Sequence, residues 1–301
     1  MSRTTAPRPV DVEQEYPALA PLALPAIRLH PRRGEPTASQ SSLGGMLLWP
    51  ADEPWPMCPY PVHERSWESD FTDPVPLVPV VQLLTSDVPQ LPHPAGADVL
   101  QLLWCPYDEA HSLHEPVLLW RDSAAIGETL SAAPAPQPLA YGLHVPIPCT
   151  VSPEQVVDYP YKDAPEELLA LFEEHDAPYF EEEVDDGRSM WEVLQVFGCK
   201  VGGYPFWTQD PQWPDCSGCG SRMQHLLCLM GDEGDRHWIP REEWATAGYT
   251  GGPEAPSATG TPAAQANRHP LDLTFGDNGS FFIFACTDCP DMPTAIDSDC
   301  H

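Results

Sequence analysis

Apolar residues fall along this chain in short continuous runs and not in long helical stripes. Leu77 to Leu84 and Val99 to Trp104 are such runs, and Phe281-Phe282-Ile283-Phe284 is another. Runs of this length and composition predict strands buried on both faces. Gly276-Asp277-Asn278-Gly279 precedes the phenylalanine run and predicts a hairpin. Helical signals are few. Residues 163–175 predict one helix, with Asp163 as cap, Pro165 early, Glu166 completing a capping box, and Leu168, Leu169, Leu171 and Phe172 on one side. A second short helix is predicted near Ser189 to Phe197. Residues 123–140 read as loop, and 250–268 as a low-complexity mobile excursion.

The pattern occurs twice. Residues 44–58 and 202–216 align without a gap at an offset of 158, and seven of the fifteen positions are identical. The shared residues are both glycines (Gly44, Gly45; Gly202, Gly203), both tryptophans (Trp49, Trp55; Trp207, Trp213), an Asp, a Pro and a Cys. Val80 to Leu84 then resembles Leu226 to Met230, and Val99 to Cys105 resembles Phe281 to Cys286. Each half therefore reads as a Gly-Gly turn needing φ > 0, a proline-punctuated loop with two Trp, and two apolar strands that bury those rings. The organisation predicted is a flexible N-terminal segment, 1–24; a first half, 25–150; an acidic helical connector, 151–190; and a second half, 191–301. The fold class predicted is α+β, with duplicated, mainly antiparallel sheet halves, few short helices and long Pro-rich loops.

Composition narrows the function. The chain has 301 residues, 39 of them proline, with 45 acidic against 14 basic residues and a formal charge of −31. Proline at this density rules out a helical bundle. A surface this acidic repels phosphate backbones and anionic lipid, so the reading is no nucleic acid and no membrane partner. No apolar run reaches the ~18 residues of a membrane span, and no apolar core follows the basic N-terminus as in a secretory signal. Between Glu154 and Asp186 lie 13 acidic residues and one lysine, densest at Glu181 to Asp186. This stretch reads either as a solvated helix and loop or as an electrostatic docking face for a basic protein.

Ten cysteines without a signal peptide point to a reducing, cytoplasmic setting, where cysteine pairs hold metal more often than disulfides. Cys216-Ser-Gly-Cys219 and Cys286-Thr-Asp-Cys289 are two CxxC knuckles separated by 66 residues. Four thiolates close a tetrahedral zinc shell with no open position, so a structural zinc is expected, not a catalytic one. Buried or redox-active thiols are the alternative. The first half keeps Cys58 and Cys105 but not their partners, and reads as a repeat without its zinc; His63 and His111 are either substitute ligands or loop histidines. Cys149, Cys199 and Cys228 read as core, and Cys300-His301 as a loose tail. His111-Ser-Leu-His114-Glu115, followed by Pro116, fits no zinc-protease order. No catalytic residue is identified.

Ser42-Leu-Gly-Gly, Trp49, Trp55-Pro56 and the strand with Gln82, together with Lys200-Val-Gly-Gly-Tyr-Pro-Phe-Trp-Thr-Gln and Cys216-x-x-Cys219, resemble the YwqG-like bacterial family, a domain of unknown function. The resemblance spans about residues 25–110 and 190–290 and implies an α+β fold with duplicated antiparallel sheet halves. Gly202-Gly203, Trp207, Cys216, Cys219 and the strand ending in Cys286 are similar, more distantly, to the N-terminal region of the programmed cell death 2 proteins, which implies a chaperone for a basic ribosomal protein. Three readings follow: a cytoplasmic zinc-stabilised acidic module that binds a basic protein, chaperone-like or immunity-like; an enzyme with a pocket between the halves; or a zinc–thiol redox protein. The first is favoured. The sequence leaves the oligomeric state open.

Overall fold

The computed structural model describes residues 2–59, 63–65, 68–71, 74–107, 116–134, 144–181, 189–234, 236–248, 261–277 and 279–300. Its strands are β1 Leu24–Arg28, β2 Arg32–Arg33, β3 Ser42–Leu43, β4 His63–Arg65, β5 Glu68–Phe71, β6 Val78–Leu84 and β7 Val99–Trp104. They continue as β8 Val117–Arg121, β9 Cys149–Thr150, β10 Glu154–Asp158, β11 Lys200–Gly202, β12 Gln224–Met230, β13 Ser280–Ala285 and β14 Thr294–Asp299. The α-helices are α1 Val12–Glu15, α2 Glu166–Glu181, α3 Met190–Leu194, α4 Trp244–Ala247 and α5 Pro262–Arg268. Two six-stranded antiparallel sheets result, ordered β2-β9-β3-β6-β7-β8 and β10-β1-β11-β12-β13-β14. The fold is α+β with two sheet halves, as the pattern of short apolar runs predicts.

The apolar runs are continuous because both faces of the inner strands are covered. Ile283 and Ala285 of β13 meet Leu100, Leu102 and Trp104 of β7 in one core shared by the two sheets. The alternate residues Phe282 and Phe284 pack outward under Phe206, Trp207 and Trp213. In the other sheet, Leu103 packs outward under Trp49 and Trp55. Each Trp-Pro loop thus roofs the outer face of its own sheet. Fully burying a large apolar side chain is worth about 1.5–3 kcal/mol, so these roofs stabilise the layers substantially. The Gly-Gly turns behave as predicted: Gly44, Gly45, Gly202 and Gly203 all have φ between 67° and 82°. A Cβ on Gly203 would stand 2.3 Å from Asp158 Oδ2.

The half boundaries need correction. Residues 24–33 and 149–158 form one continuous antiparallel ribbon, from Leu24 opposite Asp158 to Arg33 opposite Cys149. That ribbon passes from one sheet into the other near Pro31 and Pro153, which lack the N–H a ladder needs. β1, assigned to the first half, therefore lies beside β11 of the second, and β9 lies beside β3 of the first. The first half thus lends β1 to the sheet of the second. β10 also makes the start of the 151–190 connector part of a sheet.

Further expectations change. Residues 11–22 hold ordered elements: α1 is capped by Asp11, and Val12 and Leu19 are buried against Tyr159, Leu168, Phe172 and α3. The end of the 250–268 excursion is α5, capped by the Thr261 side chain; residues 249–260 lie outside the described residues. The turn at Gly276 exists, closed by Gly279 N–H to Phe275 O, but no strand precedes it, so it is no hairpin. β13 pairs with β12 and β14 instead. α2 starts at Glu166, with Leu168 and Leu169 N–H bonded to Pro165 O, and Asp163 does not cap it. Ser189 caps α3, the predicted second helix.

Candidate metal centre

The second Trp-Pro loop runs into a tight hairpin just before β12. Asp215 bridges Arg222, Cys216 N–H bonds Ser221 O, and Gly220, at φ 76°, returns its N–H to Cys216 O. Gly218 N–H points at Cys216 Sγ, 3.4 Å away. The second knuckle begins where β13 ends. Cys286 N–H bonds Pro293 O and Met292 N–H bonds Cys289 O. Two local turns thus aim four thiols at one point, and the pairing of β12 with β13 brings the turns together.

The four sulfurs of Cys216, Cys219, Cys286 and Cys289 all lie within 4.8 Å of one another. Cys216 and Cys289 are 3.9 Å apart, and Cys219 and Cys286 3.5 Å. A tetrahedral four-thiolate shell with bonds of about 2.3 Å has sulfur–sulfur edges of about 3.8 Å. The residues therefore fit a metal ion, and this is the one such group of three or more found among the described residues. Cys216 and Cys286 are buried beneath the roof, while Cys219 is exposed. Hydrogen bonds from Ser221, and then from the neighbouring thiols, draw the Cys219 thiol down to about 6. The Cys286 thiol is raised, first by burial, and that of Cys289 by the thiols beside it.

Elsewhere the cysteine readings resolve by position. Cys149, Cys199 and Cys228 are fully buried in the core. Cys105 is buried and Cys58 half-buried, both packed with Trp49 and Trp55. The side chain of His63, all of His111 to Glu115, and His301 lie outside the described residues. None of the ten cysteines is in a disulfide.

The roof is tied to the connector in a way the sequence reading missed. Asp163 accepts both indole N–H groups, from Trp207 at 2.9 Å and Trp213 at 2.5 Å. Beneath it, Lys200 Nζ donates to Asp158 Oδ2 at 2.7 Å and to Val196 O, with neither side chain exposed. Asp158 also accepts from Val196 N–H and Tyr204 N–H. A further signal was available: Lys200 is one of only two lysines and stands between Cys199 and Val201 in an apolar strand. Of the 13 acids between 154 and 186, Asp158, Asp163 and Asp176 thus serve the interior, while Glu154 accepts from Thr5 N–H and from His30 Nε2. Glu166, Glu167, Glu173 and Glu174 are exposed on α2; residues 182–186 lie outside the described residues.

A groove of about 500 Å³ does lie between the halves, lined by Gln90 and Pro92 of the first and Gly202, Trp213, Arg222 and His225 of the second. No carboxylate lines it. His225 donates from Nδ1 to Gly202 O, and burial, helped by nearby Lys200, lowers it to about 3. No protein-family model matches the chain, and no curated protein matches it. No helix of the described residues is long and apolar enough to cross a membrane.

Three buried histidines give a pH prediction. Burial holds His30 at about 4, His225 at about 3 and His237 at about 4, all below the ordinary 6.5. A lowered folded-state value means that the unfolded chain binds the extra protons, so stability present above about 6.5 is lost as pH falls toward 4. The unfolding free energy from urea titrations should fall across that window by an amount on the order of a few kcal/mol. A flat profile between pH 6.5 and 4.5 would contradict neutral buried histidines.

Proposed function

We propose that this chain is a cytoplasmic, zinc-stabilised acidic module that binds a basic protein. The observation that carries the reading is α2, which exposes Glu166, Glu167, Glu173 and Glu174 while other acids of the same stretch are committed to the interior. Acids left on a helix surface with no lysine or arginine along it form a field that attracts cationic partners and speeds their encounter. Zinc is the ion that best suits four thiolates in a closed tetrahedron, and its role is to staple the Trp-Pro loop to β13. Ten unbridged cysteines support a reducing compartment. The equivalent order of strands in the two sheets supports an internal duplication; a YwqG-like ancestry is proposed from the sequence resemblance alone.

The test is affinity capture from the organism's own lysate at about 50 mM and about 500 mM salt, a range over which exposed charge interactions are screened. A basic protein should be enriched at low salt and lost at high salt. Changing Glu166, Glu167, Glu173 and Glu174 of α2 to glutamine should lower that capture several-fold. If no basic protein is enriched at low salt, the reading falls.

A further inference from the structure

Residues 3–8 lie across the crossover of the β1–β2/β9–β10 ribbon, held there by a series of hydrogen bonds. Arg3 Nε donates to Glu243 Oε1 at 2.6 Å, and Arg3 Nη1 to Ser152 Oγ at 2.8 Å. Thr4 donates its N–H to Glu242 Oε2, and its carbonyl accepts from Arg241 N–H at 2.9 Å. Thr5 gives both its N–H and its hydroxyl to Glu154, the latter at 2.6 Å. Arg8 donates to the carbonyls of Val193, Val157 and Leu194, with its guanidinium 5.1 Å above the Tyr159 ring. Three carboxylates of the body, Glu154, Glu242 and Glu243, thus read a segment whose only charges are two arginines.

Two further features separate this strap from core. No described residue before Val12 is buried, so the strap is held without committing an apolar side chain to the interior. Net hydrogen bonds of about 1 kcal/mol each exchange readily with a competitor that supplies the same donors. The floor beneath the strap is also incompletely satisfied. Arg28 is fully buried and reaches up to Thr5 Oγ1 with Nη1, yet its Nε has no hydrogen-bond partner. The same is true of His30 Nδ1 and of Glu233 Oε2, the latter only in ion-pair range of Arg28 at 3.7 Å. A strap serving only to complete the core would normally satisfy the buried groups it covers.

We infer that this acidic cleft is a docking site for an extended, arginine- and threonine-bearing peptide of the basic partner, and that residues 3–8 occupy it as an intramolecular stand-in. The inference rests on the basic-partner reading and adds where recognition happens. The exposed α2 glutamates attract from a distance, while Glu154, Glu242 and Glu243 recognise donors at contact. A partner gains the cleft by displacing the strap, so binding and strap release are coupled through the same carboxylates.

The experiment uses a synthetic peptide of residues 2–10 and calorimetry against two chains, the full chain and a variant lacking residues 2–9. The variant should bind one peptide, and the full chain should bind it at least tenfold more weakly because its own strap competes. Glu154→Gln in the shortened chain should weaken binding at least tenfold. A shortened chain that keeps its circular dichroism and its cooperative melt but does not bind the peptide overturns the inference, as does equal binding by both chains. If the shortened chain does not fold, the full chain with Arg3→Ala and Thr5→Ala takes its place. That variant should bind the peptide at least fivefold more tightly than the unaltered chain, and no gain overturns the inference. Failure of the two readings can be told apart. Peptide binding with no basic protein captured from lysate leaves the cleft and removes the partner. Capture that the peptide does not compete leaves the partner and removes the cleft.

Discussion

Stripping the metal from Cys216, Cys219, Cys286 and Cys289 is expected to melt the second sheet. Structural zinc contributes on the order of 10 kcal/mol to folding, comparable to the whole stability of a domain at roughly 5–15 kcal/mol. The geometry shows why this half would depend on it. The two knuckles stand at opposite ends of a 66-residue span, and an ion held by all four would join the Trp213 loop directly to the end of β13. Without an ion, the four thiols, all within 4.8 Å, would be joined only by weak S–H contacts, and closure of that long loop would lose its clamp. Elemental analysis of the purified chain should find one zinc per chain. Cys216→Ser and Cys286→Ser should each reduce that below about a tenth, because three thiolates bind far more weakly than four. Cys58→Ser should retain the metal, since Cys58 packs with the other Trp pair. A chelator should lower the melting temperature of the unaltered chain steeply and leave that of Cys216→Ser unchanged. Unaltered zinc content in both knuckle variants would sink the assignment.

The second large effect is expected at the buried ion pair. Lys200→Met leaves the Asp158 carboxylate in a site with no exposure and no cation, and removing one partner of a buried pair costs about 3–5 kcal/mol. Asp158 would keep the N–H groups of Val196 and Tyr204, so its charge would be bonded but not neutralised. Adding Asp158→Asn to Lys200→Met should recover part of the loss, because the amide oxygen can still accept those bonds without carrying a buried charge. Chemical denaturation of the two single variants and the double variant gives the coupling between the residues. A cost under about 1 kcal/mol for Lys200→Met would show that the pair is not a determinant of stability. The site matters beyond its own bonds. Asp158 closes β10 onto the Gly203 turn, and that turn launches the Trp207 loop toward the four cysteines.

Much of this architecture was legible one residue at a time. The buried strands show as apolar runs because Leu103 and Phe282 face a Trp roof while their neighbours face the shared core. The Gly-Gly turns show because only glycine tolerates that backbone against Asp158 or Pro36. The four thiols show because a knuckle is local, with two intervening residues bringing each pair to one point. Other features misled for the same local reason. Asp163 looks like a helix cap because caps are read from the next three residues, and nothing there reveals two indole N–H groups arriving from residues 207 and 213. Gly276 to Gly279 look like a hairpin because a turn is visible without the strand that should precede it.

From sequence alone, periodicity and spacing determine that this is an α+β chain of two related halves, each with a Trp-Pro loop, and that the second carries four cysteines in metal-ligand spacing. Those properties depend on neighbours a few residues away. Tertiary structure alone decided that β1 of the first half joins the second sheet, that three of the connector's acids turn inward, and that residues 3–8 lie in an acidic cleft. Each of these depends on pairings across more than 100 residues or on the balance between solvating a carboxylate and bonding it inside. Antiparallel register between residues 24–33 and 149–158 leaves no local mark, because either strand would satisfy the same alternation in its own half.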